Sequence, residues 1–464
     1  MKKKKATYSN AMKRKPWLLP ALLCLWIITG CGNLYTGEET LFNPDRDTDQ
    51  KEENVPIVVA LDDPYYNMLS RGVGKIDPED TYFENKMNPM DEEGNLKDNK
   101  DKPRFFVYAF KRNNPYGFNI TRKEDKEICL VDGSCGTQAE YADVFPDEML
   151  EGHGKWAYYN GNGSFVNWLF TDKDKLYYSK LSPNAPYDFY AYHHDGAASG
   201  PLSRTSDRIS FPITIDGSQD LMCGIASLTE EQLKVINEMH DEEEKQKIKE
   251  FHYSTYTGKR NIWPVFKLRH QMAYIRFNLV AGNAYGDPVR VHEVTLKTHT
   301  QGTFVVVSKD KNALGAIFNE NSEQIFLPLR DVKDGSEITP ERWNTRFENK
   351  EYRLEYYSEE EKEANDGKER PDPYVAGELL VPPGNNTVLR MVLSNNDTYG
   401  IAEATELSLK NQFGKGEGLE AGRTYNLNIT VYGPKQISIE VEASPWKDGG
   451  DVDVDIEENQ KQKK

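Results

Sequence analysis

Period-two alternation, recurring in short runs along the whole chain, restricts the fold more than any other feature. Residues 266–282, "FKLRHQMAYIRFNLVAG", are the clearest case. Ala273, Ile275, Phe277 and Leu279 fall on one face, and Tyr274, Arg276 and Asn278 on the other. Side chains repeat every second residue only in an extended strand, so this spacing predicts a sheet with one buried face. "VPIVVAL" (55–61), "RFFVYAFKR" (104–112), "YDFYAYHH" (187–194) and "RISFPITI" (208–215) precede it. "VRVHEVTL", "GTFVVVS", "EQIFLPL", "GELLVPP", "TVLRMVLS" and "TYNLNITVYG" follow. Asn, Gly, Pro or Asp bounds the runs, as turns require. Many short strands punctuated by turns predict an all-β protein made of sandwiches. At 464 residues, two cores are expected, because single cores rarely grow past about 250–300 residues. The expected division is an N-terminal sandwich over 55–262 and a C-terminal one over 263–433, meeting near 258–264.

One segment predicts a helix, an excursion from the first domain. It is "SLTEEQLKVINEMHDEEEKQKIKEFH", residues 227–252, read as a single helix. Ser227 and Glu230 have capping-box spacing, and Leu233, Ile236 and Met239 form a thin apolar stripe. The charge-dense stretch 330–373 reads as a polar loop.

Residues 1–15 carry seven Lys/Arg and no acid, and "PWLLPALLCLWII" follows as a short apolar core. This is the layout of a secretory signal over 1–30, too short to span a bilayer. It closes on "ITGC", with Gly30 before Cys31, which resembles the bacterial lipobox, whose cysteine is lipidated and becomes the first residue. The competing reading is an ordinary cleaved signal with an incidental cysteine. Residues 31–54 read as an acidic tether. A lipid anchor of several acyl chains holds a protein stably on a membrane, here the outer membrane of a bacterial envelope.

Without residues 1–30 the chain has 51 basic and 75 acidic residues, a net charge of −24. Such acidity argues against nucleic acid or an anionic bilayer as partner. Cys129 and Cys135 in "CLVDGSC" flank a Gly-containing turn and are expected to form a disulfide in an oxidising compartment, or a reduced pair in an anaerobe. A metal reading needs further ligands at suitable spacing, and none is nearby. Cys223 reads as a small buried hydrophobe.

Other motifs carry no chemistry. His193 and His194 are adjacent on a strand and so point to opposite faces. "DVDVDIEE" lacks the Gly and the ligand offsets of a calcium loop. "GKGEG" has no Ser or Thr after its lysine and precedes a strand, not a helix. "NGNGS" lacks nucleophile-elbow spacing. The sequence therefore predicts no enzyme, cofactor or metal.

Several segments, in order, resemble the fimbrillin-like lipoprotein pilins of Bacteroidales, which build type V pili. They are "FFVYAF", "YDFYAYHHDG", "ISFPITIDGSQDLMCGIA", "FKLRHQMAYIRFNLVAG" with His270, Ala273, Ile275 and Phe277, then "AGRTYNLNITVYG" and "ISIEVEASPW". The resemblance spans residues 105–446 and implies two transthyretin-like β-sandwich domains. It also implies assembly by strand exchange. An arginine-specific protease removes the leading segment with its first strand, and the C-terminal strands of another subunit fill the vacated groove. The cleavage candidates are Arg71, which follows "VPIVVAL" and would release that whole strand, and Arg46, which would cut only the tether. The bland alternative is that both are ordinary loop arginines.

The donor-type strands lie in 434–464. Ile437, Ile439 and Val441 share one face of the first, Val452, Val454 and Ile456 alternate with aspartates in the second, and Trp446 lies between. Burying Ile437, Ile439 and Val441 is worth about 5–9 kcal/mol. Ordering seven backbone residues costs about 7–14 kcal/mol, so donation requires a groove already vacant. The alternative is that both strands fold back on their own domain. Implied partners are other fimbrial subunits and a host or bacterial surface ligand, with a surface fimbrium as the location after processing. The rival function is a monomeric glycan-binding surface lipoprotein of a polysaccharide-uptake system, which exposed tryptophans would favour, with Trp156 and Trp168 as the candidates.

Overall fold

The computed structural model describes residues 54–61, 105–134, 153–159, 165–168, 176–282, 288–349, 354–384, 387–395, 402–410, 412 and 418–445. Strands β1 (Val59–Leu61), β2 (Phe105–Lys111), β3 (Cys129–Val131), β4 (Lys155–Tyr159) and β5 (Phe165–Trp168) come first. They are followed by β6 (Tyr187–His193), β7 (Ser203–Arg204), β8 (Arg208–Thr214) and β9 (Met222–Ile225). Helices α1 (Glu230–Glu238), α2 (Glu242–Glu250) and α3 (Thr255–Gly258) intervene before β10 (Val265–Phe266), β11 (Arg269–His270) and β12 (Ala273–Ala281). Next are β13 (Val289–His299), β14 (Gln301–Ser308), β15 (Gly315–Phe318) and β16 (Gln324–Pro328), then helices α4 (Pro340–Glu348) and α5 (Glu359–Ala364). Finally come β17 (Tyr374–Val381), β18 (Val388–Asn395), β19 (Glu403–Ser408), β20 (Arg423–Gly433) and β21 (Gln436–Pro445).

The protein is predominantly β, as the alternation requires. The first sheet runs β10-β1-β5-β4-β2-β6-β9-β11, with β3 also paired to β2. It forms a middle layer. In β2, Phe105, Val107 and Ala109 enter a core that Ile236 and Ile248 cover from the helical side. Phe106, Tyr108 and Phe110 enter a second core shared with Phe211 and Phe304 of the second sheet, β15-β14-β8-β7. Burial on both faces explains why "FFVYAF" is apolar without interruption. The third sheet, β17-β12-β20-β21, packs on the fourth, β16-β13-β18-β19. Ile275, Phe277 and Leu279 from β12 meet Val294, Leu296, Leu389 and Met391 there, as the alternation in 266–282 predicts.

One path joins the layers. β13 lies in the fourth sheet, and β14, starting two residues after β13 ends, pairs with β8 in the second. The hairpin of β14 and β15 therefore completes a sheet begun by residues 203–214, although the expected division assigns it to the C-terminal domain.

Two expectations are corrected. The segment 227–252 is not one helix. Thr229, not Ser227, is the N-cap of α1, forming a capping box with Gln232. Met239 is extended, and Asp241 begins α2 by accepting hydrogen bonds from the backbone N–H groups of Glu243 and Glu244 at 2.9 and 3.1 Å. On a continuous helix Ile236 and Ile248 would lie about 120° apart. The break lets both bury in the first core. The stretch 330–373 is likewise not all loop. Thr339 caps α4 with Pro340 in its first turn, and its inner face buries Trp343 and Arg346. Asp331 accepts hydrogen bonds from both Arg342 and Arg346, and Arg346 also donates to the Ala376 carbonyl at 3.1 Å. α5 is a charged helix with no buried residue, held by the Ser358–Glu361 capping box.

Cys223 is buried in the second core, and that burial pushes its thiol up to about 12. A raised thiol pKa leaves little thiolate below that value, and only thiolate is nucleophilic. In the folded protein Cys223 should therefore resist iodoacetamide at pH 8 and react once denatured. Mass spectrometry of both samples checks this, and equal labelling would contradict the buried assignment.

Candidate functional site

Among the described residues, no group of three or more His, Cys, Asp or Glu is placed to hold a metal ion. His194 is buried in an aromatic cluster, its ring 5.4 Å from Phe106 and 5.7 Å from Phe211. His193 is also buried, so neither histidine flanks an open site. No described helix is long and apolar enough to cross a membrane. The notable geometry lies at the two ends of the described chain.

At the leading end, residues 55–61 occupy a slot inside the first sheet. β1 pairs in parallel with β10, Ala60 opposite Val265, and antiparallel with β5, Val59 opposite Val166. Ahead of β1, Ile57 N–H donates to the Leu176 carbonyl at 2.7 Å, and Tyr178 N–H donates to the Val55 carbonyl at 3.0 Å. Ala60 N–H donates to the Pro264 carbonyl at 2.9 Å. Val55, Ile57, Val59 and Leu61 all point into the first core and are at most 7% exposed. A strand normally gains a second ladder only in a sheet interior, and this leading segment has one.

Two further residues fit the slot. The Trp168 indole N–H donates to the Ile57 carbonyl at 3.0 Å. Gly258 closes α3 where a Cβ would come within 2.8 Å of Val55 Cγ1 and 3.1 Å of the Tyr178 ring. Neither role could be read from the sequence, because each depends on contacts between residues 80 or more positions apart.

At the trailing end, β21 pairs antiparallel with β20, Ile437 opposite Val431 and Val441 opposite Leu427. It is the last strand of the third sheet, so one of its edges has no strand beside it among the described residues. Ile437, Ile439 and Val441 pack against the third core but stay half-buried, while Ser438, Glu440 and Glu442 are exposed. The two ends thus contrast: the leading strand is enclosed on both edges, and the trailing strand is held on one.

Trp156 is fully buried in the second core, and Trp168 is partly buried and committed to Ile57. Neither forms an exposed aromatic platform. Cys129 is buried with its sulfur 3.4 Å from Asp132 Oδ2. Cys31, Arg46, Arg71, Cys135, Trp446, Val452, Val454 and Ile456 lie outside the described residues.

The Gly258 contact gives a measurable coupling. Gly258→Ala should destabilise the protein by about 1–3 kcal/mol through overpacking. Val55→Ala should cost something alone, yet recover part of the Gly258→Ala loss in the double variant. Urea unfolding of the four proteins measures this, and strict additivity would mean that the two residues do not touch.

The family model described as "Fimbrillin-like" matches residues 147–446 of this chain. No curated protein matches it. Among solved structures, a protein named for cell adhesion from Bacteroides uniformis is 11% identical, with 85% of this chain and 99% of that one covered and a TM-score of 0.40. A fimbrial protein from Bacteroides vulgatus is 10% identical, covering 82% and 100%, with a TM-score of 0.34. The tip fimbrial protein Mfa3 from Porphyromonas gingivalis, truncated at its C-terminus, is 9% identical, covering 75% and 96%, with a TM-score of 0.30. The family match covers well over half of the chain, and on that match the chain belongs to the fimbrillin-like family.

Proposed function

We propose that this protein is a structural subunit of a surface fimbria. In this reading a lipid on Cys31 holds it at the outer membrane before assembly, and strand exchange polymerises it after cleavage at Arg71. The observation that carries the proposal is the enclosed slot of residues 55–61. A cut at Arg71 would leave this segment attached only by non-covalent contacts, whereas a cut at Arg46 would leave it covalently in place.

Magnitudes favour exchange over simple loss. Val55, Ile57, Val59 and Leu61 are buried in the first core, which at about 1.5–3 kcal/mol each amounts to roughly 6–12 kcal/mol. An empty slot would forfeit that burial and leave two ladders unpaired, so the vacancy that donation requires strongly favours an incoming strand. β21 has the matching pattern. Ile437, Ile439 and Val441 repeat every second residue, as Val55, Ile57 and Val59 do. Moving those three from half to full burial gains about 2–5 kcal/mol. The strand would exchange its ladder of ten residue pairs with β20 for two ladders of two pairs each, with β5 and β10, so it is side-chain burial rather than pairing that favours the transfer. Because β21 is already ordered, its backbone entropy is largely spent before transfer. Main-chain bonds then supply affinity, and the alternating side chains fix the register.

The rival reading, a monomeric glycan-binding lipoprotein resting on Trp156 and Trp168, lacks its exposed aromatics.

A trypsin-like arginine-specific protease, added to the purified chain lacking residues 1–30, should yield a ladder of multimers that resist denaturant. Arg71→Ala should suppress the ladder, and a chain ending at Gly433 should abolish it. A clean cut that leaves only monomers would refute strand exchange. A ladder undiminished by Arg71→Ala would move the cleavage site elsewhere.

A further inference from the structure

Just past the end of α2 stands a histidine whose protonation state is fixed by the atoms around it. His252 Nδ1 is 2.7 Å from the Lys249 carbonyl, which can only accept, so Nδ1 carries the ring proton. His252 Nε2 is 2.9 Å from Arg112 Nη2, which can only donate, so Nε2 offers its lone pair. The imidazole is therefore neutral, with both nitrogens engaged. A second proton would have to enter at Nε2, where it would replace a hydrogen bond with two like charges in contact.

The surrounding groups do not relieve that conflict. Arg112, next after β2, donates from Nε to Asp188 of β6 at 3.0 Å and from Nη1 to the Glu250 carbonyl at 3.4 Å. The Asp188 carboxylate faces the pair but is already held by the guanidinium, and Lys311, in the turn after β14, adds a further positive charge. Burial first, and then the Arg112 charge, hold the imidazole below the usual histidine range.

His252 also joins α2 to Tyr253, whose ring is fully buried in the first core with Ile248 of α2 and with Val55, Ile57, Val59 and Leu61. The Tyr253 backbone has a φ of 63°, a left-handed conformation that an aromatic residue rarely adopts. Its burial and the hydrogen bond from Tyr187 N–H to its carbonyl, 3.1 Å, hold it there. The His252 ring packs edge-on against Tyr253 with centroids 4.9 Å apart. A displacement of His252 therefore acts directly on the cover of the core that receives residues 55–61.

We propose that His252 and Arg112 form an acid-sensitive latch on the helical cover of the first core, closed while the imidazole is neutral and released when it takes a second proton. In the unfolded chain His252 titrates near pH 6.5, and in the folded chain at a lower pH. The contribution of the latch is thus complete above pH 6.5 and is lost as the pH falls through the interval below it.

The mature, uncleaved chain is tested in two ways. Amide exchange of residues 240–256, corrected for its intrinsic pH dependence, is compared at pH 7.5 and pH 5. Protection should fall on acidification in the parent and fall less in His252→Gln, whose amide oxygen accepts from Arg112 and gains no proton. The other histidines titrate equally in both proteins, so the difference isolates this one. NMR titration of the His252 ring should give a midpoint below 6.5, and Arg112→Met should raise it, which a merely structural role of Arg112 would not require. The latch is overturned if His252 titrates at or above 6.5, if Arg112→Met leaves that midpoint unmoved, or if His252→Gln loses as much protection in acid as the parent. Because the uncleaved chain is used, failure here leaves the assembly reading untouched, and failure to polymerise leaves this one untouched.

Discussion

The enclosure of residues 55–61 in the first sheet is the constraint on which the first core and its helical cover depend. Residues 55–61 sit between β10 and β5, and their side chains fill the core beneath α1 and α2. The sheet and its helical cover therefore need some strand in that position. Whether the occupant belongs to the same chain is a matter of connectivity, since the slot recognises backbone hydrogen bonds and a period-two row of branched apolar side chains.

The layers around the slot limit how far the contribution of residues 55–61 reaches. The second core, on the opposite face of the same sheet, includes none of residues 55–61. The third core draws on strands from β12 onward. β13 and β14 run through residue 300 and tie the fourth sheet to the second. Residues 55–61 thus contribute to one of the three cores. The half-buried strand at the other end, β21, contributes to the third core only from its margin.

Much of this was legible in advance, and the parts that were not share a cause. "AYIRFNL" in β12 and "YNLNITV" in β20 alternate because one face of each strand meets the third core. The period alone gives that result. "FFVYAF" could be assigned to a strand, but not to a sheet buried on both faces until Phe211 and Phe304 were seen against it. The helix over 227–252 was misjudged because charge pattern and propensity extend straight through Met239 and Asp241. Only the shared demand of Ile236 and Ile248 for one core imposes the break. Trp168 and Gly258 were unreadable as partners of Ile57 and Val55, since nothing local in "FVNW" or "TYTG" marks them.

By itself the sequence determined the strand content and the inward faces of the strands. These follow from periodicity, which is local and survives without knowledge of neighbours. Tertiary structure alone decided which strands lie side by side, and that residues 55–61 are interior to their sheet while β21 is marginal in its own. Those facts depend on contacts between residues far apart in the chain, and a pattern of alternating side chains specifies a face without naming what covers it.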